Sequence, residues 1–431
     1  MNFFKTPVIL VVLTLSLINL VAGQSTRFSE PRQEKLLNGM KLLIWNQPNA
    51  EKATIKLRIH SGAAFDPKDK MGVMALLGDI LFPTDDTKSF FTEELDGSLD
   101  INTNYDYIQI TITGKPDEIQ AILETLATAV TNPQITQEYL DLVRNAQLEK
   151  VQKLEKTSSY IADRAVAKRL FGDFPYGKSP EGTTESLAKI DRADLLLARD
   201  RFFTADNSTL AVVGNVRPDF VYRAVRQLFG AWKKSENKIP ATFRLPDAPD
   251  TKDFSIEVPD AEKSSFRAAV VVPSRTDKDF YAAQILTGIW QKQFCLNDEE
   301  RFGKIGFQPY LLRGVYVISR NTVYGRQVQT APATCQLLHL TNGTFNYPPV
   351  TQSDFEIVKA ATINNYQRKT QSPVDLAELW LDVDTYRLTS HKDEMTKLNN
   401  VTFADVQRVA GNLQKQPAVS VTVKKSNTNQ Q

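Results

Sequence analysis

The residue types that carry catalysis or bind metals are scattered along this 431-residue chain. Its three histidines, His60, His339 and His391, share no spacing that would place two imidazoles on one helical face, as many zinc sites require. His60 lies on an apolar strand, where a packed histidine is the expected interpretation. The paired acids Asp85 and Asp86 follow a proline in a predicted loop and should be solvated, which does not suit a general acid/base pair. The sequence also lacks a nucleophile elbow, a phosphate loop and a dinucleotide fingerprint.

The two cysteines do not form a metal site either. Cys295 and Cys335 are too few for a zinc knuckle, and neither has a histidine at ligand spacing. Both lie in apolar segments, so two interpretations stay open. One is a disulfide, which an exported protein can form, and the other is a pair of separately buried thiols. In both interpretations the cysteines are structural.

The first residues predict export. Lys5 precedes an apolar run from Val8 to Ala22, and small residues before Gln24 offer a cleavage site. A run of this length is short for a membrane span and fits the apolar region of a secretory signal, with an uncleaved anchor as the alternative. We expect residues 1–23 to be removed, leaving a periplasmic or secreted protein without stable membrane insertion.

The composition is that of an ordinary globular protein. Hydrophobic residues make up 42% of the chain, and 52 basic residues nearly balance 50 acidic ones. This balance argues against nucleic acid as a partner, because nucleic-acid binding needs a basic surface. The length allows two to three domains with sizeable cores.

Hydrophobic periodicity predicts short strands alternating with amphipathic helices. In the first half, strands are predicted at 41–45, 53–61, 108–113 and 208–216, and helices at 72–82, from 116, at 137–158, 193–203 and 219–229. In the second half, strands are predicted at 253–258, 266–272 and 418–424, and helices at 281–294, 354–369, 373–387 and 403–413. The mixture predicts an α+β fold.

The chain reads as a duplicated unit. A helix opening with Ala-Asp-Leu at 193–195 leads into a strand, and one opening with Ala-Asp-Val at 404–406 does so at a similar offset. A polar, proline-bearing stretch between the halves is interpreted as a linker. The predicted organisation is a signal peptide at 1–23, a first domain at 27–233, a linker at 234–250, a second domain at 251–425 and a tail at 426–431.

Several segments, in their order and spacing, resemble the pitrilysin/insulinase-type peptidases, which include mitochondrial processing peptidase. The segments are Leu37–Lys41, Gly62, Pro67, Phe174–Gly177, Glu181–Thr183, Asn207–Val216, Ala261–Ser264 and Arg275–Asp277. The likeness runs from about Glu34 to Lys424, nearly the whole mature chain. It implies an α+β fold of two homologous domains, each a mainly antiparallel sheet with helices packed on one face, as in LuxS and these metallopeptidases.

The chemistry of that family depends on a His-x-x-Glu-His helix. The two histidines share one helical face and bind zinc, and the glutamate beside the second histidine activates the metal-bound water. The corresponding helix here is predicted over residues 72–82. The resemblance puts Ala75 at the first histidine, Gly78 at the glutamate and Asp79 at the second histidine. It therefore implies that two zinc ligands and the general base have been lost.

The third zinc ligand of the family, a glutamate on a later helix, is also missing. Lys150 stands at its position, and Val143 replaces a further family glutamate. Glu149 is adjacent, but one residue turns a helical side chain by about 100°. A lysine ammonium repels a cation, and Asp79 alone cannot hold zinc against water. The prediction is therefore no metal ligand, no catalytic residue and no cofactor.

Substrate binding can survive the loss of the metal. In the resembled peptidases, an arginine and a tyrosine of the second half hold the substrate near the zinc of the facing half. Arg301 and Tyr310 are the candidates here, although their separation is wider than in the family and Pro309 is unusual there. A guanidinium would bind a peptide carbonyl or carboxylate, and a phenol would donate to an oxyanion. The alternative is a solvated arginine and a tyrosine packed against the sheet.

The leading hypothesis is a non-catalytic, peptide-binding subunit of an exported zinc peptidase of this family. The family closes four such domains into a hollow shell and this chain supplies two, so we expect a partner: a zinc-bearing homologue in a heterodimer, or a second copy of the chain. One alternative is a non-enzymatic binding or scaffold protein of the same fold, as in core subunits of respiratory complexes. Another is an active enzyme with an unusual site. The leading hypothesis implies that the chain alone is not an enzyme.

Overall fold

The structure is a computed structural model that describes most of the chain after the predicted signal peptide. It describes residues 30–236, 243, 245–259, 261–295, 297–298, 303–324, 339–341 and 343–426. The predicted signal peptide, Arg301 and Cys335 lie outside the described residues. Within them, no helix combines the length and the apolar character needed to cross a bilayer.

The first half alternates strands and helices. Its elements are β1 (Arg32–Lys35), β2 (Lys41–Asn46), β3 (Ala53–Ile59), α1 (Val73–Asp79), α2 (Asp85–Ser89), β4 (Ser98–Thr103), β5 (Ile108–Gly114), α3 (Ile119–Thr131), α4 (Gln137–Leu154), α5 (Ser158–Phe171), α6 (Thr184–Ala188), α7 (Arg192–Phe202), β6 (Ser208–Gly214) and α8 (Pro218–Phe229). The helix predicted over 137–158 is in fact two helices. Its last residue begins α5, which Thr157 caps by accepting from the Tyr160 amide.

The second half follows the same plan. Its elements are β7 (Ser255–Val258), β8 (Lys263–Val272), α9 (Phe280–Gln293), β9 (Asn297–Asp298), β10 (Gly303–Pro309), β11 (Gly314–Val323), β12 (His339–Thr341), β13 (Thr344–Asn346), α10 (Gln352–Gln371), α11 (Pro373–Thr385), α12 (His391–Asn400), α13 (Phe403–Leu413) and β14 (Ala418–Lys425). Cys295, just after α9, is disulfide-bonded, which decides between the two interpretations of the cysteines in favour of the disulfide.

Within the described residues, each half forms one six-stranded sheet, and β12 and β13 of the second half form a separate two-stranded sheet. The strand orders are β1-β2-β6-β3-β5-β4 and β7-β14-β8-β11-β10-β9. In the first sheet only β2 and β6 pair in parallel, and in the second only β7 and β14 do. The two sheets therefore share one strand topology, in which β2, β6, β3, β5 and β4 correspond to β7, β14, β8, β11 and β10. The prediction of two homologous, mainly antiparallel α+β domains is confirmed.

One face of each sheet carries the main core of its own half. In the first half, β2, β3, β5 and β6 pack against helices that include α1, α3 and α8. In the second half, β8 and β11 pack against helices that include α9 and α13. Full burial of a leucine or phenylalanine side chain contributes about 1.5–3 kcal/mol, so these two clusters supply most of the hydrophobic stabilisation.

The other face of each sheet is covered by a helix from the opposite half. On α11, Leu376, Ala377 and Leu381 pack against Leu43 and Trp45 of β2. Conversely, α5 packs against β8 and β14 of the second sheet. Because alternate residues of a strand point to opposite faces, a strand with apolar residues at successive positions needs a cover on both sides. The exchange of helices supplies that second cover.

The described part of the predicted linker is fixed to the first half. Arg169 of α5 forms an ion pair of 2.9 Å with Asp250, whose amide donates to the Arg169 carbonyl at 3.1 Å. The Phe243 ring lies 5.4 Å from that of Phe65, centroid to centroid. These contacts add to the exchanged helices in holding the two halves together.

Candidate functional site

The helix α1, which the resemblance aligns with the family's zinc helix, is firmly held. The buried carboxylate of Asp66 accepts the amides of Gly72 at 2.7 Å and Met74 at 2.8 Å. Burial raises the pKa of this carboxyl to about 7. Gly72 has φ of +98°, a conformation that favours glycine. The backbone of this helix is thus fixed by capping even though its metal ligands are absent.

Asp79 is the one ionisable residue among the three positions that correspond to zinc-site residues on α1. Burial raises the pKa of its carboxyl, and the positive charges of Lys150 and Lys88 oppose that rise. The interaction with Lys150 agrees with the prediction that α4 presents position 150 toward α1. A lysine there places a positive charge beside the site, which disfavours any cation.

Gly78, at the position of the water-activating glutamate, is enclosed by the strand β4. A Cβ added at Gly78 would lie 3.1 Å from Thr103 Oγ1 and 3.3 Å from Ile101 Cγ2. These contacts are tighter than ordinary van der Waals contacts. A glutamate side chain at this position would therefore meet atoms of β4.

Zinc does not fit the residues present at this site. Ala75 and Gly78 offer no donor atom, and Lys150 offers a charge of the wrong sign. Throughout the part of the chain that the structure describes, no group of three His, Cys, Asp or Glu side chains could hold a metal ion. No step of metal-assisted hydrolysis can be derived from these side chains.

The strand β4 ends the first sheet directly beside α1. Its side chains alternate between exposed positions and half-buried ones, the latter including the Ile101 and Thr103 that border Gly78. Among the described residues β4 has a strand neighbour, β5, on one side only. An edge strand of this kind presents free backbone N–H and C=O groups, which an extended peptide can bind.

Tyr310 lies in the turn between β10 and β11. It is at the contact surface between the two halves of the chain, which we call the seam. Its ring centroid is 5.0 Å from that of Tyr105 and 4.8 Å from that of Tyr176. Its hydroxyl donates to Gln308 Oε1 at 3.2 Å, and burial raises its pKa. This placement gives Tyr310 a packing role. Its binding of substrate together with Arg301 stays a prediction.

His60 is held between the two halves by two hydroxyl groups. Its Nε2 lies 2.9 Å from Thr209 Oγ1 and its Nδ1 3.0 Å from Thr385 Oγ1. Burial lowers its pKa to about 3, so the ring is neutral at physiological pH. The expected interpretation, a packed histidine, agrees with these contacts. The other two histidines lie elsewhere, His339 on β12 and His391 at the start of α12.

The pH dependence of stability offers a test of this placement. The pKa of His60 is 6.5 when unperturbed and about 3 in the fold, so between these values the unfolded state binds more protons. Stability is therefore lost as the pH falls from about 6.5 toward 3, by up to about 1.4 kcal/mol per pH unit. We expect the stability advantage of the wild type over His60→Gln to shrink between pH 7 and pH 5 in urea unfolding. An advantage that stays constant over this range would contradict the placement.

Asp85 and Asp86 are exposed, as predicted for solvated acids. They do not lie in a loop, however, but in the first turn of α2. Thr84 caps this short helix by accepting the Thr87 amide at 3.2 Å. Acidic residues in a first helical turn interact favourably with the helix dipole, which is a structural role.

A charged network at the seam was not predicted from the sequence. Arg58 of β3 is fully buried, and its Nη1 donates to Asp382 Oδ1 of α11 at 2.8 Å. It also forms an ion pair with Glu378, donates to Gln109 Oε1 at 2.8 Å and stacks on a tyrosine ring at 4.0 Å. Lys56 forms a second ion pair with Glu378. The signal in the sequence was two cationic residues inside an otherwise apolar strand.

The second sheet is fixed in a similar way. Arg267 of β8, which is 3% exposed, forms an ion pair of 2.5 Å with Asp163 of α5. Since β8 matches β3 in topology, each sheet holds the exchanged helix through a buried arginine on its equivalent strand. The seam is therefore polar as well as apolar, and it fixes the two halves relative to each other.

Two models of one peptidase family match consecutive parts of the chain. The model "Insulinase (Peptidase family M16)" matches residues 41–184, and "Peptidase M16 inactive domain" matches residues 189–293. Together they span more than half of the 431 residues. The first match contains β4, α1 and α4, the elements of the lost zinc site.

Individual proteins agree with this assignment. An uncharacterized zinc protease of Rickettsia felis is 23% identical over 216 residues, which are 48% of this chain and 52% of the relative. The non-peptidase homolog YmxG of Helicobacter pylori is 24% identical over 172 residues, 38% of this chain and 39% of the relative. The chain thus spans about half, or less, of the length of these curated relatives.

The fold is also that of solved structures from the family. The peptidase M16 inactive domain from Pseudomonas fluorescens superimposes with a TM-score of 0.72 at 18% identity, covering 93% of this chain and 99% of that one. The matched family models, the shared fold and the residues of α1 and α4 point the same way. This chain belongs to the insulinase family of peptidases, family M16, as a member that lacks zinc ligands at the positions corresponding to the family's metal site.

Proposed function

We propose that this chain is the non-catalytic, peptide-binding subunit of an exported zinc peptidase, in which a zinc-bearing member of the same family performs the hydrolysis. The observation that carries the proposal is that α1 keeps its capping and its neighbour but has no zinc-site side chains. Asp66 still caps this helix and β4 still lies beside it, yet Ala75, Gly78 and Asp79 stand where zinc chemistry needs ligands and a base. The fold around the site is therefore retained, while the side chains that zinc chemistry requires are absent from these positions.

Peptide binding in this proposal uses the free edge of β4. An extended peptide adds as a further strand, with main-chain hydrogen bonds for affinity and little dependence on its sequence. The exposed side chains of β4 then border the bound peptide, and the half-buried ones keep packing on α1. The role needs no metal, which suits a subunit that holds a substrate for another protein to cut.

Strand addition can be tested with backbone-modified peptides. In an antiparallel pair, only alternate residues of each strand bond to the neighbour. A labelled six-residue peptide of alternating threonine and valine is therefore expected to lose about tenfold in affinity when one alternate set of amides is N-methylated, and little when the other set is. Fluorescence anisotropy measures both. Equal affinities for the two methylated peptides would contradict strand addition.

The partner in this proposal is a zinc-bearing homologue. The family builds its shell from four domains and this chain has two, so a second chain with an intact His-x-x-Glu-His helix would complete both the shell and the chemistry. Affinity purification of the tagged chain from its own organism is expected to yield such a homologue in a one-to-one complex. Recovery of the chain alone, or only with copies of itself, would count against this partner.

Arg301 and Tyr310 enter the proposal as substrate-positioning residues of the complex. The expected result for Arg301→Ala and Tyr310→Phe is a higher KM of the complex toward peptides, with the complex itself still intact in gel filtration. The tyrosine variant removes only the hydroxyl and keeps the aromatic packing with Tyr105 and Tyr176. Unchanged kinetics in both variants would favour the alternative, a binding or scaffold protein of the same fold.

A further inference from the structure

A cavity of about 240 Å³ lies at the seam between the two halves. The first half contributes Lys41 at the start of β2, His60 directly after β3, the start of β6 and the loop that precedes β6. The second half contributes the C-terminal end of α11 and the turn between β10 and β11. None of the positions that correspond to the family's zinc site lines this cavity, so it is separate from the site described above.

Part of the polar lining is fully engaged within the protein. His60 contacts two threonine hydroxyls, as described above. The carboxylate of Asp384 forms an ion pair with Lys41 and accepts the Thr209 hydroxyl at 2.8 Å. Asp106 accepts the Leu311 amide at 2.9 Å and a tyrosine hydroxyl at 3.1 Å. These groups form rigid walls, because each is held by a partner from the opposite half or from a neighbouring strand.

Other lining groups keep unused hydrogen-bonding capacity. The exposed guanidinium of Arg387 makes no hydrogen bond or ion pair with another described residue. The half-exposed ammonium of Lys41 uses one of its three protons on Asp384. In the same lining, Asp206 uses one carboxylate oxygen to accept the Ser235 amide at 2.8 Å. Asn207 donates both of its bonds through Nδ2, which leaves its side-chain oxygen free among the described residues.

The backbone at Arg387 is fixed by the end of α11. Its φ is +53°, in the left-handed region that non-glycine residues rarely adopt. The residue comes directly after the C-cap of α11, where glycine or asparagine is the usual choice. The amides of Arg387 and Leu388 donate to the carbonyls of Asp384 at 3.3 Å and Val383 at 2.9 Å, so this helix C-cap fixes the point from which the side chain extends to the cavity.

We propose that this cavity binds a small carboxylate of amino-acid size. Arg387 and Lys41 bind the carboxylate, and Asp206 and Asn207 accept hydrogen bonds from the neighbouring ammonium or amide N–H of the ligand. The cavity is smaller than the usual 300–1,000 Å³ of sites for drug-sized ligands, which suits a free amino acid or the C-terminal residue of a short peptide. Both sources share an α-carboxylate next to a nitrogen donor.

Three probes separate these chemistries in isothermal titration calorimetry with the mature chain. L-Glutamine has both charges, N-acetyl-L-glutamine has the carboxylate alone, and L-glutamine amide has the ammonium alone. Binding of the first two and not of the amide is expected. Tighter binding of the free amino acid identifies a free amino acid as the ligand, and equal binding of the acetylated form identifies a peptide C-terminus. No binding of either carboxylate at millimolar concentration, or equal binding of the amide, would overturn the proposal.

Arg387→Asn tests the assignment to this cavity, since asparagine tolerates the left-handed backbone but lacks the guanidinium. We expect it to weaken glutamine binding by at least about tenfold, the usual effect of losing a charge-assisted hydrogen bond. The control is Arg223→Asn on the surface of α8, which should bind as the wild type does. If the folded Arg387→Asn protein bound glutamine with wild-type affinity, the assignment would be wrong.

Discussion

Replacing Arg58 with methionine is expected to lower the free energy of unfolding by about 3 kcal/mol or more. The Arg58 side chain is 1% exposed, and its two acidic partners on α11 are 32% and 30% exposed. Without the guanidinium, Asp382 loses its ion-pair partner, whereas Glu378 keeps Lys56 and the side-chain amide of Gln109. Asp382 then stays largely buried without a cationic partner, and an uncompensated charge of this kind is what makes removing one partner of a buried pair so costly.

Urea unfolding of the mature chain measures this effect, and Arg32→Met is the matched control. Arg32 forms an ion pair with Asp219 at the surface, where such pairs contribute about 0–1 kcal/mol. Adding Asp382→Asn to Arg58→Met should recover part of the loss, because it removes the uncompensated charge and leaves the ion pair of Lys56 with Glu378 intact. A loss of less than about 1 kcal/mol in Arg58→Met would show that this network does not hold α11 on the first sheet.

Restoring the three zinc ligands is expected to create a stoichiometric zinc site. The variant combines Ala75→His, Asp79→His and Lys150→Glu. The first two positions lie one turn apart on α1, and the charge of Lys150 already acts on Asp79 from α4. The gain in zinc affinity should exceed about a hundredfold, since even an outer-shell change alters metal affinity by about 10- to 100-fold. The variant should not hydrolyse peptides, because Gly78 still supplies no general base.

Metal content after dialysis against a weak chelator, measured by mass spectrometry, gives the result directly. The control is Lys150→Glu alone, which removes the repelling charge but adds no histidine pair and should stay metal-free. If the triple variant keeps the circular dichroism spectrum of the wild type but binds no zinc, then α1 and α4 are not arranged for ligation. The idea that only side chains have been lost from this site would then be wrong.

The exchange of α5 and α11 between the halves was not predicted, although the sequence contains a signal for it. In β2 the run Leu42 to Trp45 is apolar at every position and buried on both faces, so one helical layer could not cover it. The strand β6 is buried along its whole length in the same way. Periodicity identifies such strands but not which helix covers their second face, because the covering helix can lie more than 150 residues away.

The lost zinc site was predictable because it depends on local sequence within a recognised frame. Positions 75, 78 and 79 lie on one short helix, and position 150 follows from the register of α4. The Arg58 network was not predictable from local sequence, because Glu378 and Asp382 come from the other half of the chain. Tyr310 shows the same limit, since its aromatic neighbours, Tyr105 and Tyr176, are distant in sequence and local sequence does not reveal them.

The central claim is that this chain supports proteolysis without catalysing it. The most direct test is the zinc content and peptidase activity of a complex reconstituted from the mature chain and a zinc-bearing family member of the same organism. We predict one zinc per complex and hydrolysis by the complex alone. Activity should be unaffected by Asp79→Asn in this chain and abolished when the partner's water-activating glutamate becomes glutamine. Zinc retention and peptide cleavage by the purified single chain, or a partner that is equally active without it, would contradict the claim.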